Sequence, residues 1–86
     1  MKQEELEALA AKLGALLLAN GEKLATAESC TGGWVAQCLT AISGSSDWFE
    51  RGFVTYTNKT KQEMLDVETK TLLKHGPVSE TTASAM

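Results

Sequence analysis

The chain has 86 residues, 43% of them hydrophobic and 22% charged, with a formal net charge of −3. This length allows one small domain that buries only about 60–65% of its unfolded surface. The acidic balance argues against a nucleic-acid binder held by phosphate contacts, and no apolar run approaches the roughly 18 residues needed to span a bilayer. The acidic start, MKQEELEALA, lacks the apolar core of a secretory signal, so a cytoplasmic protein is expected.

The first predicted element is an amphipathic helix over Glu4–Asn20, with Leu6, Leu9, Ala10, Leu13, Leu16 and Leu17 on one face. Asn20-Gly21 supplies its stop signal. Leu24–Glu28 is predicted as a short strand and Gly33–Ile42 as a second helix burying Val35, Cys38, Leu39 and Ile42. Ser43–Ser46 reads as a polar turn. The aromatic and β-branched cluster in Phe49–Tyr56 favours a second strand. Helix resumes near Lys61, capped through Thr60–Glu63 or by Asn58. Thr69–His75 reads as a further short helix, closed by Gly76-Pro77, and Ser79 caps a last one that runs to Met86. The order helix–strand–helix–strand–helices predicts a layered α/β domain that is partial in this chain, since two strands make only a marginal sheet.

Charge is unevenly spread. Residues 1–50 carry three Lys and seven Asp or Glu, whereas residues 51–74 carry five Lys or Arg and three Asp or Glu. The second segment reads either as a surface for an anionic small molecule or as a solvated helix face. Cys30 and Cys38, eight positions apart, are too distant on one helix for a disulfide. With one histidine and no CxxC or HxxxH pattern, no metal site and no cofactor is expected.

The stretch TAESCTGG, Thr26–Gly33, runs from a predicted strand through a serine and a cysteine into two glycines and a helix. Ser29 at such a junction is either a helix cap or a nucleophile projecting from a rigid scaffold. Free amides of Cys30, Thr31, Gly32 and Gly33 at the positive end of the helix dipole suit an oxyanion or a phosphate. The hydrolase elbow GxSxG is absent, because Ala27 occupies the first glycine position, and there is no Walker pattern. A nucleophilic serine needs a base. His75, before Gly-Pro, reads as a helix end, which leaves Lys61. If the strands are parallel, Ser29 and Lys61 share one sheet edge; if antiparallel, they need not.

A lysine near pKa 10.4 must lose about 4 kcal/mol of preference for its charged form to act as a base near neutrality. A helix end offers about 0.3–1 kcal/mol, so burial must supply most of it, from more protein or from substrate. Tyr56 is a candidate to orient the lysine, or a packing residue. Glu28 can position a neighbour. Cys30 reads as a buried thiol, Trp34 and Trp48 as core or interface, and Ser45 and Ser46 as turn residues with hydroxyls available to phosphate.

TAESCTGGWVA (Thr26–Ala36), GSSDWFERGFVTYTNKTK (Gly44–Lys61) and HGPVSE (His75–Glu80), in this order and spacing, closely resemble the CinA C-terminal domain family of competence/damage-inducible proteins. The stand-alone bacterial amidohydrolases of that family are the nearest match, and the whole chain reads as the N-terminal part of one such domain. The resemblance implies deamidation of nicotinamide mononucleotide to nicotinic acid mononucleotide and ammonia, a step of pyridine-nucleotide salvage, without metal. It implies Ser29 as nucleophile, Lys61 as its partner and Tyr56 as the motif tyrosine. It also implies a protein nearly twice this long, whose second half adds a glycine-rich segment of the type SGxAGPxG. The 86-residue chain alone is therefore expected to be inactive or nearly so, and a homo-oligomer would suit the family. The runner-up reading is a non-catalytic nucleotide- or phosphate-binding module.

Overall fold

The structure, a computed structural model, describes all 86 residues. Helix α1 spans Gln3–Ala19, strand β1 Leu24–Glu28 and helix α2 Trp34–Thr40; a 3-10 turn at Ser45–Asp47 leads into strand β2, Phe49–Val54. Helices α3 (Asn58–Leu65), α4 (Thr69–His75) and α5 (Glu80–Ala85) follow. The two strands pair in parallel, Ala25 with Arg51 through Glu28 with Val54, after an irregularity between Leu24 and Ala25. This is the layered α/β arrangement expected, with a sheet of only two strands.

The core forms where α1 and α2 meet the start of β2. Ala10, Leu39 and Trp48 are buried together, and Leu17, Leu24, Ile42 and Phe49 pack around them. The Trp48 ring lies flush against α1 at Gly14, where an added Cβ would come within 2.4 Å of the indole. A small residue there is what lets the helix approach an aromatic this closely.

Several boundaries and faces differ from the sequence expectation. The α1 stripe is only partly covered: Ala10 is buried, whereas Leu9, Leu13 and Leu16 are exposed. Helix α2 is shorter at both ends than Gly33–Ile42, and its Val35 is exposed. Strand β2 stops at Val54, two residues before Tyr56. The cap of α3 is Thr57, whose hydroxyl accepts from the Thr60 amide at 3.2 Å, because the chain leaves the sheet earlier and turns sooner. Thr69–His75 and the Ser79 cap stand as expected. No helix is long and apolar enough to cross a membrane.

Candidate active site

Two chain crossings meet at the C-terminal edge of the sheet. At the first, β1 ends on Glu28 and the chain arches through Ser29–Gly33 into α2. Gly32 and Gly33 have φ of 62° and 95°, a left-handed backbone that costs other residues about 1–2 kcal/mol. The Glu28 side chain, 5% exposed, ties the arch together. Its Oε1 accepts from the Thr31 hydroxyl at 2.7 Å and the Val35 amide at 2.9 Å; its Oε2 accepts from the Ala36 amide at 2.9 Å. Burial alone would raise the Glu28 pKa, but these bonds and one from the Gly33 amide outweigh it and hold the carboxyl below the usual glutamate range.

The positive end of α2 is thus already occupied by a carboxylate of the same chain. Of the four amides from Cys30 to Gly33, that of Gly33 is turned toward the Glu28 carboxylate and helps to lower its pKa, and that of Gly32 faces the Ser29 carbonyl at 3.4 Å. The amides of Cys30 and Thr31 donate to no group of the protein, and Ser29, beside them, is half-buried.

At the second crossing, Thr55 follows β2 and is fully buried. Its amide donates to the Glu28 carbonyl at 2.8 Å, and its hydroxyl approaches the same oxygen at 3.3 Å. Thr57 then starts α3, which places Lys61 in its second turn with 0% exposure. The amine reaches back to the carbonyls of Thr55, at 2.9 Å, and Tyr56, at 3.3 Å, rather than to the Ser29 hydroxyl. Because β2 ends early, these carbonyls are available to the lysine. The cover that Lys61 was expected to require from further protein or substrate is supplied within this chain. Thr55, which sequence reasoning passed over, connects the two crossings.

The parallel pairing therefore puts Ser29 and Lys61 on one edge, one residue beyond Glu28 and six beyond Thr55, whose amide donates to the Glu28 carbonyl. Other candidates fall elsewhere. Cys30 is exposed instead of buried; Cys38 is the buried thiol, and both are free. Tyr56 is 69% exposed and meets Lys61 only through its backbone carbonyl. Ser45 and Ser46 precede β2 beside the start of β1, where the Lys23 amine donates to the Asp47 carbonyl at 3.3 Å. A five-residue strand, about 16 Å long, separates them from Ser29, so the structure does not bring them to the same edge. The basic segment is largely neutralised locally by the exposed pairs Arg51–Glu50, Lys59–Glu63 and Lys70–Glu68. An open apolar groove of about 580 Å³ lies between α1 and α2 and touches the arch only at Thr31. No three His, Cys, Asp or Glu side chains are grouped as metal ligands would be.

Residues 6–86 match the family described as CinA C-terminal domain. The nicotinamide-nucleotide amidohydrolase PncC of Escherichia coli K12 is 55% identical over 80 residues, covering 93% of this chain and 48% of that protein. A CinA-like protein of Chloroherpeton thalassium is 54% identical over 74 residues, 86% of this chain and 18% of the relative. Among solved structures, a competence/damage-inducible protein from Agrobacterium tumefaciens superposes with a TM-score of 0.93 at 46% identity, covering 100% of this chain and 51% of that one. The chain thus spans about half the length of the PncC relatives and of that solved structure, which agrees with a partial α/β domain. A match over 81 consecutive residues, supported by both sequence and structure, places the chain in the CinA C-terminal domain family.

Proposed function

We propose that the chain is the N-terminal part of a single amidohydrolase domain that deamidates nicotinamide mononucleotide, with Ser29 as nucleophile and Lys61 as proton carrier. The observation that carries this reading is the buried connection Glu28–Thr55–Lys61, which anchors both crossings at one sheet edge. The PncC relatives, named for this activity, support the substrate class.

The chemistry follows from the groups at that edge. The Lys61 amine, in its neutral form, takes the Ser29 hydroxyl proton as Oγ bonds to the carboxamide carbon. The carbonyl electron pair moves onto oxygen, where the free amides of Cys30 and Thr31 receive the oxyanion. Collapse of the tetrahedral adduct breaks the C–N bond, and the lysine proton goes to the departing ammonia. Water then cleaves the ester to Ser29 and yields the acid. The Tyr56 side chain is exposed, and in this scheme its hydroxyl donates to substrate. Ser45 and Ser46 have no role in this scheme.

The 86-residue chain alone is inactive or nearly so, since half of the relatives' length is absent from it; the complete protein works in the cytoplasm and as a homo-oligomer. The test is ammonia release from nicotinamide mononucleotide by the complete protein. Ser29→Ala should abolish turnover and keep nucleotide binding. Full turnover by Ser29→Ala removes the nucleophile from the scheme, and nucleotide binding without product in the unaltered protein favours a non-catalytic binding module.

A further inference from the structure

A buried carboxylate is an expensive way to start a helix. Removing the charge of a glutamate from water costs several kcal/mol even after relaxation, whereas serine, asparagine or aspartate at the N-cap satisfies the same amides at the surface. In α2 the N-cap is Gly33, which has no side chain to offer. The capping group comes instead from the end of β1, five positions upstream and directly before Ser29. Its two oxygens span the intervening arch, holding Thr31 at the crest and Val35 and Ala36 in the helix.

Little else fixes that arch. Its other hydrogen bonds are the long one from the Gly32 amide to the Ser29 carbonyl, one from the Trp34 amide to the Thr31 carbonyl at 3.1 Å, and, where the arch joins α2, one from the Gln37 amide to the Gly33 carbonyl at 2.9 Å. Two consecutive glycines leave the backbone free to adopt other turns. The carboxylate selects one of them, with the Cys30 and Thr31 amides left unpaired beside Ser29. The Glu28 backbone carbonyl, meanwhile, accepts from Thr55, so the same residue anchors the lysine's crossing.

We infer that Glu28 is a positioning residue for the Ser29 centre: its carboxylate sets the arch so that the hydroxyl and the two free amides face the same reacting group. This rests on the amidohydrolase reading. It differs from helix capping alone in what it forbids. A residue that only stabilised α2 could be replaced with a loss of melting temperature and no loss of rate in the protein that remains folded.

The test is made in two arms. In the 86-residue chain, iodoacetamide labels exposed Cys30 while buried Cys38 reports on global opening. Glu28→Gln should accelerate Cys30 labelling by about threefold or more with Cys38 still protected. In the complete protein, the same variant should lower kcat for nicotinamide mononucleotide by about 100-fold with KM nearly unchanged, the scale of a misplacement near 1 Å. Thr31→Val should produce a smaller change in the same direction. Unchanged Cys30 labelling with Cys38 protected, or a kcat within twofold of the unaltered protein, overturns the inference. If Glu28→Gln does not fold, Thr31→Val is judged by the same two measures. Ser29→Ala, run alongside, separates the two readings: its full activity sinks the nucleophile, while its inactivity beside an active Glu28→Gln sinks only the positioning role.

Discussion

The Lys61 amine donates to the Thr55 carbonyl at 2.9 Å, and neither residue has any exposed surface. A long amine side chain is thereby folded back over the end of the strand that precedes its own helix. Its position depends on backbone atoms, which no substitution at position 55 removes from the carbonyl side. Lys61→Met keeps most of the volume and deletes the donor. Turnover in the complete protein should fall by about 10²–10⁴-fold, the range of a lost acid–base group. Loss of the donor should also destabilise the chain by about 1–3 kcal/mol, since the Thr55 carbonyl loses its buried partner. Urea titration of the 86-residue chain and a rate measurement on the complete protein check the two effects separately; a Lys61→Met variant with undiminished turnover rules out lysine as proton carrier.

Glu28 makes stability depend on pH in a defined direction. Its carboxyl is held below the usual glutamate range by the Thr31 hydroxyl and the amides of Ala36, Val35 and Gly33, despite its burial. A lowered folded-state pKa means that the unfolded chain takes up the proton first as pH falls. The contribution is therefore complete above the ordinary glutamate range and is lost as pH drops through the folded-state value. Urea midpoints measured from pH 7 downward should decline more steeply for the unaltered chain than for Glu28→Gln. Parallel declines would show that the carboxylate bonds contribute nothing.

Gly14→Ala tests the packing of α1 on Trp48. Alanine in a helix interior ordinarily gains about 1 kcal/mol over glycine. Here its methyl would meet the indole at 2.4–2.7 Å, and overpacking of this kind costs about 1–3 kcal/mol. The net change should be destabilising, accompanied by a red shift of the buried tryptophan emission. A stabilised variant would show that α1 can move off the ring at little cost.

The local elements were legible because they are written in local chemistry. Ser79 as a cap, Thr69–His75 as a helix and Leu24–Glu28 as a strand need only neighbours in sequence. The apolar stripe of α1 was legible as a stripe, yet Leu9, Leu13 and Leu16 are exposed, because periodicity marks which residues share a face and says nothing of what covers it. The end of β2 was missed because Thr55 and Tyr56 have good strand propensity; hydrogen bonding to Glu28 and Lys61 across the fold draws their backbone away instead. The direction of strand pairing, on which the placing of Ser29 and Lys61 at one sheet edge depends, is a tertiary property. A pattern of two short strands separated by a helix is compatible with either direction until α2 is seen to pack against the sheet. The sequence marks Glu28 as able to position a neighbour but does not show how, since its donors come from residues three to eight positions downstream and converge only once the glycine arch has formed.

Thr55 offers a way to ask whether backbone or side chain joins the two crossings. Its hydroxyl and its amide both point to the Glu28 carbonyl, at 3.3 and 2.8 Å, but the shorter bond is the one from the amide. Thr55→Val preserves shape, amide and carbonyl and deletes only the hydroxyl. It should cost about 0.5–1.5 kcal/mol and leave turnover of the complete protein within about threefold, because the Lys61 contact is to the carbonyl. Thr55→Pro removes the amide hydrogen and should cost about 3 kcal/mol or more, with loss of turnover as the lysine's crossing separates from β1. Both are read by urea denaturation of the chain and by ammonia release from the complete protein. If valine proves as damaging to turnover as proline, then the hydroxyl is what fixes the geometry, and the backbone connection between Glu28 and Lys61 is insufficient to place the amine.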